Sequence, residues 1–141
     1  MKTVLFVCVH NSARSQMAEA FLNDFGKGDF IAESAGLEPG NLNPIVVESM
    51  KIIGYDISKN KTKSVFDLFK NGKRYDHVIT VCDKEAAEKC PLFPGKTERL
   101  DWSFNDPSSF TGNHDEILIK TDMVRDQIKE KVISFIKLFK L

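Results

Sequence analysis

The sequence has no excess of charge of either sign. Its 141 residues include 20 Lys and Arg and 20 Asp and Glu, which gives a formal net charge of zero. Binding to nucleic acid or to an anionic membrane surface releases counterions and needs an excess of cations on the protein. The composition therefore predicts neither partner, although a small local anion site does not depend on net charge.

The sequence also lacks long apolar runs, and its number of cysteines is odd. The mostly apolar stretch near the start covers only residues 3–9, whereas a membrane-spanning helix needs about 20 apolar residues. No small-residue cleavage pattern follows it, so we expect no signal peptide. The three cysteines, Cys8, Cys82 and Cys90, suit a secreted disulfide framework poorly. We expect a cytoplasmic protein whose cysteines are either buried and inert or used in chemistry.

Apolar, strand-like runs alternate with helical patterns along the chain. Residues 3–8 and 77–82 are continuous apolar runs that are typical of strands buried on both faces of a sheet. The other expected elements are strands over 30–34 and 98–102 and helices over 15–25, 44–53 and 117–139. This alternation predicts an α/β fold with a four-stranded parallel sheet and helices on both faces. The length fits a single domain over residues 1–141.

Two cysteines and a carboxylate are predicted to meet at one edge of this sheet. Cys8 and Cys82 each occupy the last position of an apolar run, and Asp106 follows the strand that ends at Trp102. The carboxyl ends of parallel strands share one edge, where open α/β folds bind their ligands. We therefore expect Cys8, Cys82 and Asp106 to lie on the same rim.

The segment between the first strand and the first helix is a candidate oxyanion loop. Cys8 precedes it, and its residues are Val9, His10, Asn11, Ser12, Ala13, Arg14 and Ser15, which gives the pattern Cys-x5-Arg-Ser. A loop of this length can turn its backbone N–H groups inwards, and the positive end of the following helix completes a nest for an anion. The guanidinium of Arg14 offers a planar fork for two oxygens of a tetrahedral oxyanion.

Cys8 is the candidate nucleophile beside this loop. The same local field favours a thiolate, and a thiolate beneath a bound oxyanion is placed for in-line attack. The Ser15 hydroxyl can hydrogen-bond to the sulfur. The alternative is a buried cysteine that ends a strand, with Arg14 and Ser15 merely opening a helix. The spacing between a strand and a helix favours the oxyanion site.

These residues resemble the low-molecular-weight protein tyrosine phosphatase superfamily, which carries Cys-x5-Arg-Ser at the same N-terminal position. The resemblance covers essentially the whole chain and implies a three-layer domain with helices on both sides of the sheet. It includes Asp106-Pro107, which implies Asp106 as general acid. His10 stands where many members have Gly. Asn11 matches the family's Asn, a residue type that tolerates the left-handed conformation.

The second and third cysteines point to one branch of this superfamily. The chain is similar to the thioredoxin-coupled arsenate reductases over residues 8–19, Val81-Cys82, Cys90-Pro91 and 102–107. Ser108 follows Asp-Pro where the tyrosine phosphatases usually carry Tyr. Seven residues separate Cys82 from Cys90, one more than in the reductases that the segment resembles.

The resemblance implies a relay of three thiols that needs no cofactor. Arsenate, with phosphate as a competing anion, is expected to bind against Arg14, and Cys8 attacks arsenic while Asp106 protonates the departing oxygen. Cys82 then attacks Cys8 and releases arsenite. Cys90 attacks Cys82 and presents the disulfide to a reducing dithiol, for which thioredoxin is the expected partner. We expect the protein to be a monomer.

The segment between the two later cysteines is expected to move during such a relay. If residues 82–90 formed a rigid helix, its rise would separate the two sulfurs by about 12 Å, which is too far for a disulfide. The segment must therefore rearrange or loop out before Cys82 and Cys90 can pair. Pro91, Pro94 and Gly95 follow it and are consistent with a mobile stretch.

Two other interpretations stay open on the residues alone. A protein tyrosine phosphatase needs only Cys8, Arg14 and Asp106, and would leave Cys82 packed at a strand end and Cys90 as a surface thiol. A binding module would use the three thiolates as ligands for a soft metal or arsenite. No His or fourth Cys stands at zinc-ligand spacing, so we expect no metal site.

Histidine adds no further candidate for catalysis. His77 and His114 are expected in solvent or at a strand edge.

Overall fold

Four strands form one parallel sheet in the computed structural model, which describes residues 1–82 and 88–140. The strands are β1 (Lys2–Cys8), β2 (Phe30–Gly36), β3 (His77–Thr80) and β4 (Glu98–Asp101). They lie in the order β2-β1-β3-β4. The register pairs Cys8 with Gly36 and Val7 with Thr80. The carboxyl ends of β1 and β2 are therefore side by side on the rim.

The helices cover both faces of this sheet. They are α1 (Arg14–Phe25), α2 (Pro44–Ile52), α3 (Val65–Lys70) and α4 (His114–Phe139), with a short 3₁₀ helix at Pro107–Ser109. Alternate residues of β1 divide between two cores, because successive strand side chains point to opposite faces. Phe6 packs with α1, α2 and α4 in the larger core, whereas Val7 packs with α3 in the smaller one. No helix in the described part of the chain is long and apolar enough to cross a membrane.

The predicted α/β fold with a four-stranded parallel sheet in a three-layer domain is confirmed. Each expected strand and helix is present, with shifts of a few residues at its ends. The helix α3 was not predicted, since it is only six residues long and buries a single side chain, Val65. A helix this short carries no hydrophobic period that the sequence could reveal.

The expected strand over residues 77–82 ends at Thr80, so Cys82 follows β3 and does not end it. The register gives the reason, because Thr80 pairs with Val7, the penultimate residue of β1. One further contact, from the Val81 N–H to the Val7 carbonyl at 2.9 Å, closes the pairing. After Cys8 the chain turns from β1 into the oxyanion loop, so residues beyond Val81 have no strand backbone to pair with on this side.

The expectation that His77 lies in solvent or at a strand edge is wrong. Its side chain is 4% exposed, and its ring packs edge-on against Phe135 and Phe139 of α4. Its Nδ1 atom has no hydrogen-bond partner among the described residues. A Glu98 carboxylate oxygen lies 3.8 Å from it. His114, in contrast, is exposed beside Glu48.

We expect His77 to make folding less favourable in weak acid. Burial disfavours the imidazolium and lowers the pKa of His77, so the unfolded chain binds a proton below about pH 6.5 that the folded chain refuses. Stability is then lost as the pH falls from the unfolded pKa towards the folded one. In His77→Phe, the free energy of unfolding should decrease less between about pH 7.5 and 5.5 than in the wild type.

Urea unfolding at the two pH values measures this difference. His114 is present in both proteins, and its own pKa, raised by hydrogen bonds to Glu48 and Asp115, contributes equally to each. Equal losses of stability in the variant and the wild type would contradict the role given to His77.

Candidate active site

Cys8 is the last residue of β1 and lies at the base of the oxyanion loop. It is buried, at 3% exposure. Its sulfur accepts a hydrogen bond from the Asn11 backbone N–H at 3.1 Å and lies 2.9 Å from the Ser15 hydroxyl oxygen. Asn11 adopts a φ of +54°, the left-handed conformation that its residue type tolerates. This turn brings the N–H back over the sulfur.

The loop's carbonyl oxygens are held away from the anion nest by the segment that follows β2. Backbone N–H groups of Leu37, Glu38, Gly40 and Asn43 donate to the carbonyls of Cys8, Val9, His10 and Ser12 at distances from 2.8 to 3.1 Å. Within the described residues, the N–H groups of Val9, His10 and Ser12 have no protein acceptor. These donors are available to an anion, as the sequence predicts for a nest.

The His10 side chain lies outside the nest. Its Nδ1 atom is 2.9 Å from the Glu38 carbonyl oxygen. Its backbone carbonyl accepts from Gly40 at 3.0 Å. The loop therefore accommodates a side chain where glycine is common, because that side chain turns towards the 37–43 segment.

Asn11 fixes the loop through a buried hydrogen-bond network. Its Nδ2 group donates to the hydroxyls of Ser15 and Ser34, each at 2.9 Å. Its Oδ1 atom accepts from the Lys63 N–H at 2.9 Å and from Gln16 at 3.2 Å. Since Ser15 accepts from Asn11, its single proton is free to donate to Cys8. Two donors aimed at one sulfur suit a thiolate nucleophile.

Arg14 and Asp106 are brought together at the mouth of the loop. Arg14 is the first residue of α1, and its side chain is 10% exposed. One guanidinium nitrogen donates to the Phe104 carbonyl at 3.1 Å, and the other lies 3.5 Å from Asp106 Oδ2. Asp106 caps the 3₁₀ helix by accepting the Ser108 N–H at 3.0 Å on Oδ1. The structure thus places the candidate acid beside the candidate anion ligand, as the sequence predicts.

Gly36 is a site residue that sequence reasoning missed. It ends β2 directly beside Cys8, and a Cβ atom built on it would lie 2.8 Å from both the Asn11 nitrogen and the Val9 oxygen. Only a residue without a side chain lets the loop backbone approach this closely. No turn motif in the sequence marks this glycine, because it lies in a strand and does not adopt a positive φ. The close contact is made with residues 9–11, which are distant in sequence.

The two later cysteines lie on different faces of the sheet. Cys82 is buried in the same hydrophobic core as Cys8, and its sulfur is 3.8 Å from the Val7 carbonyl oxygen. Cys90 is buried in the smaller core with Tyr75 and Phe93, so it is not a surface thiol. Burial raises the pKa of the Cys90 thiol.

The predicted rearrangement of the segment between Cys82 and Cys90 depends on residues 83–87, which lie outside the described residues. Across residues 1–82 and 88–140, no three His, Cys, Asp or Glu side chains are grouped so that they could hold a metal ion.

Most of the chain is similar to known proteins, both in sequence and in structure. Residues 3–140 match the family model described as low molecular weight phosphotyrosine protein phosphatase. An arsenate reductase from Shouchella clausii (strain KSM-K16) is 38% identical over 135 residues, or 95% of this chain and 94% of that protein. The solved structure of an arsenate reductase in its oxidized state has a TM-score of 0.80 at 32% identity, and covers 97% of this chain and 98% of its own.

A further similar structure is that of an enzyme whose name states its reductant. The thioredoxin-dependent arsenate reductase of Corynebacterium glutamicum has a TM-score of 0.62 at 30% identity. The match covers 94% of this chain and 62% of that one.

We expect Gly36→Ala to disable the oxyanion loop. The added methyl group meets two backbone atoms that cannot rotate away, so the loop must move and the protein should lose about 1–3 kcal/mol of stability. Inorganic phosphate should bind at least about tenfold more weakly, which isothermal titration calorimetry measures.

Gly40→Ala is the matched control for this variant. Its new Cβ would lie 3.5 Å from the nearest atom, the Cβ of His10, which is ordinary contact. It should bind phosphate as the wild type does. Unchanged phosphate affinity in Gly36→Ala would contradict the arrangement of the loop.

Proposed function

Because the chain belongs to the low molecular weight phosphotyrosine protein phosphatase family, we propose that it is an arsenate reductase that works through a relay of Cys8, Cys82 and Cys90. One observation carries this proposal. A cysteine with two hydrogen-bond donors on its sulfur stands under an anion loop, and a second buried cysteine shares its hydrophobic core. A phosphatase has no use for the second cysteine.

The first step joins arsenic to Cys8. Arsenate has the shape and charge of phosphate, so the free N–H groups of the loop and the Arg14 guanidinium bind its oxygens. The Cys8 thiolate attacks arsenic and forms an S–As bond. The departing oxygen leaves as water, with a proton from Asp106, whose Oδ2 faces Arg14 at 3.5 Å. No electrons are exchanged in this step.

The second step reduces arsenic. The Cys82 thiolate attacks the Cys8 sulfur, a disulfide forms between them, and the S–As bond breaks with its electron pair moving to arsenic. Arsenate is thereby reduced to arsenite by two electrons. The burial of both sulfurs in one core supports this step. So does the position of Cys82, whose sulfur contacts the carbonyl of Val7, the residue before Cys8.

The third step returns Cys8 to its starting state. Cys90 attacks Cys82, a Cys82–Cys90 disulfide forms, and Cys8 leaves as a thiolate. Cys90 is buried on the other face of the sheet, so this step requires it to leave the smaller core. An external dithiol then reduces the disulfide and supplies the two electrons. The thioredoxin dependence of the Corynebacterium glutamicum relative supports thioredoxin as that dithiol.

Hydrolysis of phosphate monoesters is a second candidate activity of the same site. The first step needs only Cys8, Arg14 and Asp106. Arg14 lies 3.5 Å from Asp106, and it directly precedes Ser15, whose hydroxyl oxygen is 2.9 Å from the Cys8 sulfur. Phosphate esters offer the same tetrahedral oxyanion: the Cys8 thiolate attacks phosphorus, the ester P–O bond breaks and the alcohol leaves with a proton from Asp106. Water then attacks phosphorus, breaks the S–P bond and releases phosphate, which returns Cys8 to its thiolate. We propose that this activity is weaker than arsenate reduction, and that free phosphate competes with arsenate for the loop.

We expect the three cysteine variants to separate these activities. Cys8→Ser should abolish both arsenate reduction and hydrolysis of 4-nitrophenyl phosphate, because both begin with its sulfur. Cys82→Ser and Cys90→Ser should stop multiple-turnover arsenate reduction and leave ester hydrolysis intact. The measurements are arsenate-dependent NADPH oxidation with thioredoxin and thioredoxin reductase, and release of 4-nitrophenol.

A single turnover of pre-reduced enzyme tests the order of the relay. Cys90→Ser should still form one arsenite per enzyme and stop as a Cys8–Cys82 disulfide, whereas Cys82→Ser should form none. Wild-type turnover in either variant with thioredoxin would disprove the relay. Hydrolysis of the ester without any arsenate reduction by the wild type would favour the phosphatase.

A further inference from the structure

Asn43 joins three parts of the molecule around the mouth of the site. Its backbone N–H donates to the Ser12 carbonyl of the oxyanion loop at 3.0 Å. Its Oδ1 atom caps α2 by accepting the Ile45 N–H at 2.9 Å. Its Nδ2 group donates to the Ser108 hydroxyl at 3.1 Å. An N-cap needs only Oδ1, so capping does not account for the contact with Ser108.

Ser108 passes this contact on to the candidate acid. Its backbone N–H donates to Asp106 Oδ1 at 3.0 Å, and Asp106 Oδ2 lies 3.5 Å from Arg14. The contacts therefore close a ring from Ser12 through Asn43, Ser108 and Asp106 to Arg14, which belongs to the same loop as Ser12. The ring connects the two segments, 9–15 and 106–108, that act on the departing oxygen.

We propose that Asn43 is a positioning residue which, through Ser108, sets where the Asp106 carboxyl lies relative to the oxyanion loop. The proposal rests on the function proposed above, in which Asp106 protonates the departing oxygen. With Oδ1 held by Ser108, Oδ2 is the oxygen left to carry the proton.

The direct contact between Arg14 and Asp106 does not fix the acid by itself. The Asp106 side chain is 38% exposed, and ion pairs that solvent reaches hold side chains weakly. Its segment follows β4 outside the sheet, with one turn of 3₁₀ helix for support. The hydrogen bond between Asn43 and Ser108 is exposed as well, but it adds a second connection, which joins that turn to α2 and so to the loop. A displacement of about 1 Å at a catalytic group can cost about a hundredfold in rate.

Variants of Ser108 and Asn43 remove the connection without removing the cap or the acid. Ser108→Ala deletes the hydroxyl but keeps the N–H that binds Asp106, and Ser108→Thr restores the hydroxyl. Asn43→Ser keeps an oxygen that can cap α2 but is too short to reach Ser108. Ser103→Ala, at an exposed serine of the same loop, is the matched control.

The rate of arsenite formation in a single turnover of pre-reduced enzyme is the readout, because thioredoxin recycling does not limit it. Ser108→Ala and Asn43→Ser should slow this step at least about tenfold. The inhibition constant for inorganic phosphate should stay within about twofold, since the loop donors are intact. Ser108→Thr and Ser103→Ala should match the wild type. In an Asp106→Asn background, Ser108→Ala should have no further effect.

The outcomes separate this inference from the proposed function. An active wild type with an unaffected Ser108→Ala overturns the role of Asn43 alone. So does an equal loss from Ser108→Ala in the Asp106→Asn background, which would indicate a purely structural effect. If the wild type hydrolyses 4-nitrophenyl phosphate but does not reduce arsenate, the reductase proposal fails, and the same variants test Asn43 on ester hydrolysis. A wild type inactive on both substrates overturns both proposals.

Discussion

The structure depends on keeping several backbone N–H groups unpaired beside a buried sulfur. Buried N–H groups without partners cost free energy, so the other polar groups of the loop must hold it in place through their own hydrogen bonds. N–H groups of the 37–43 segment donate hydrogen bonds to the carbonyls of the loop. The Asn11 side chain donates to the hydroxyls of Ser15 and Ser34. Gly36 has no side chain, so the end of β2 can lie close to the loop backbone. An oxyanion bound as we propose would supply the missing acceptors, so a rigid loop of this kind favours an anion.

The sheet determines which thiols meet without rearrangement. Cys8 ends β1, Cys82 follows the neighbouring strand β3, and both lie in one core, whereas Cys90 lies in the core on the opposite face. Under the proposed relay, the first disulfide forms inside the fold and the second only after Cys90 leaves its packing against Phe93 and Tyr75. Burial also raises the pKa of the Cys90 thiol, so this sulfur is a poor nucleophile until it moves. In the proposed relay, this packing would keep the third thiol from reacting before the first two.

Sequence reasoning reached the fold and the centre of the site but not its supports. The Cys-x5-Arg-Ser loop is local, so its chemistry can be inferred from adjacent residues, and Asn11 adopts the left-handed conformation that its type allows. Parallel pairing explains why Asp106 could be placed near Arg14. Gly36 acts through contacts with a distant segment that no spacing in the chain reveals. The sequence marks Ser108 as a departure from the phosphatases, but not its contact with Asn43. The burial of His77 was missed for the same reason, since it is made by the far end of α4.

Asn43 shows that a sequence pattern can account for only part of what a side chain does. Asn-Pro predicts a helix cap, and the Oδ1 atom makes that cap. The cap also orients the rest of the side chain, because holding Oδ1 against α2 leaves Nδ2 pointing at Ser108. Ser108 stands where the phosphatases usually carry Tyr, so a small hydroxyl replaces an aromatic ring at the mouth of the cleft. In this chain the same position connects the acid-bearing turn to α2 through the Asn43 side chain.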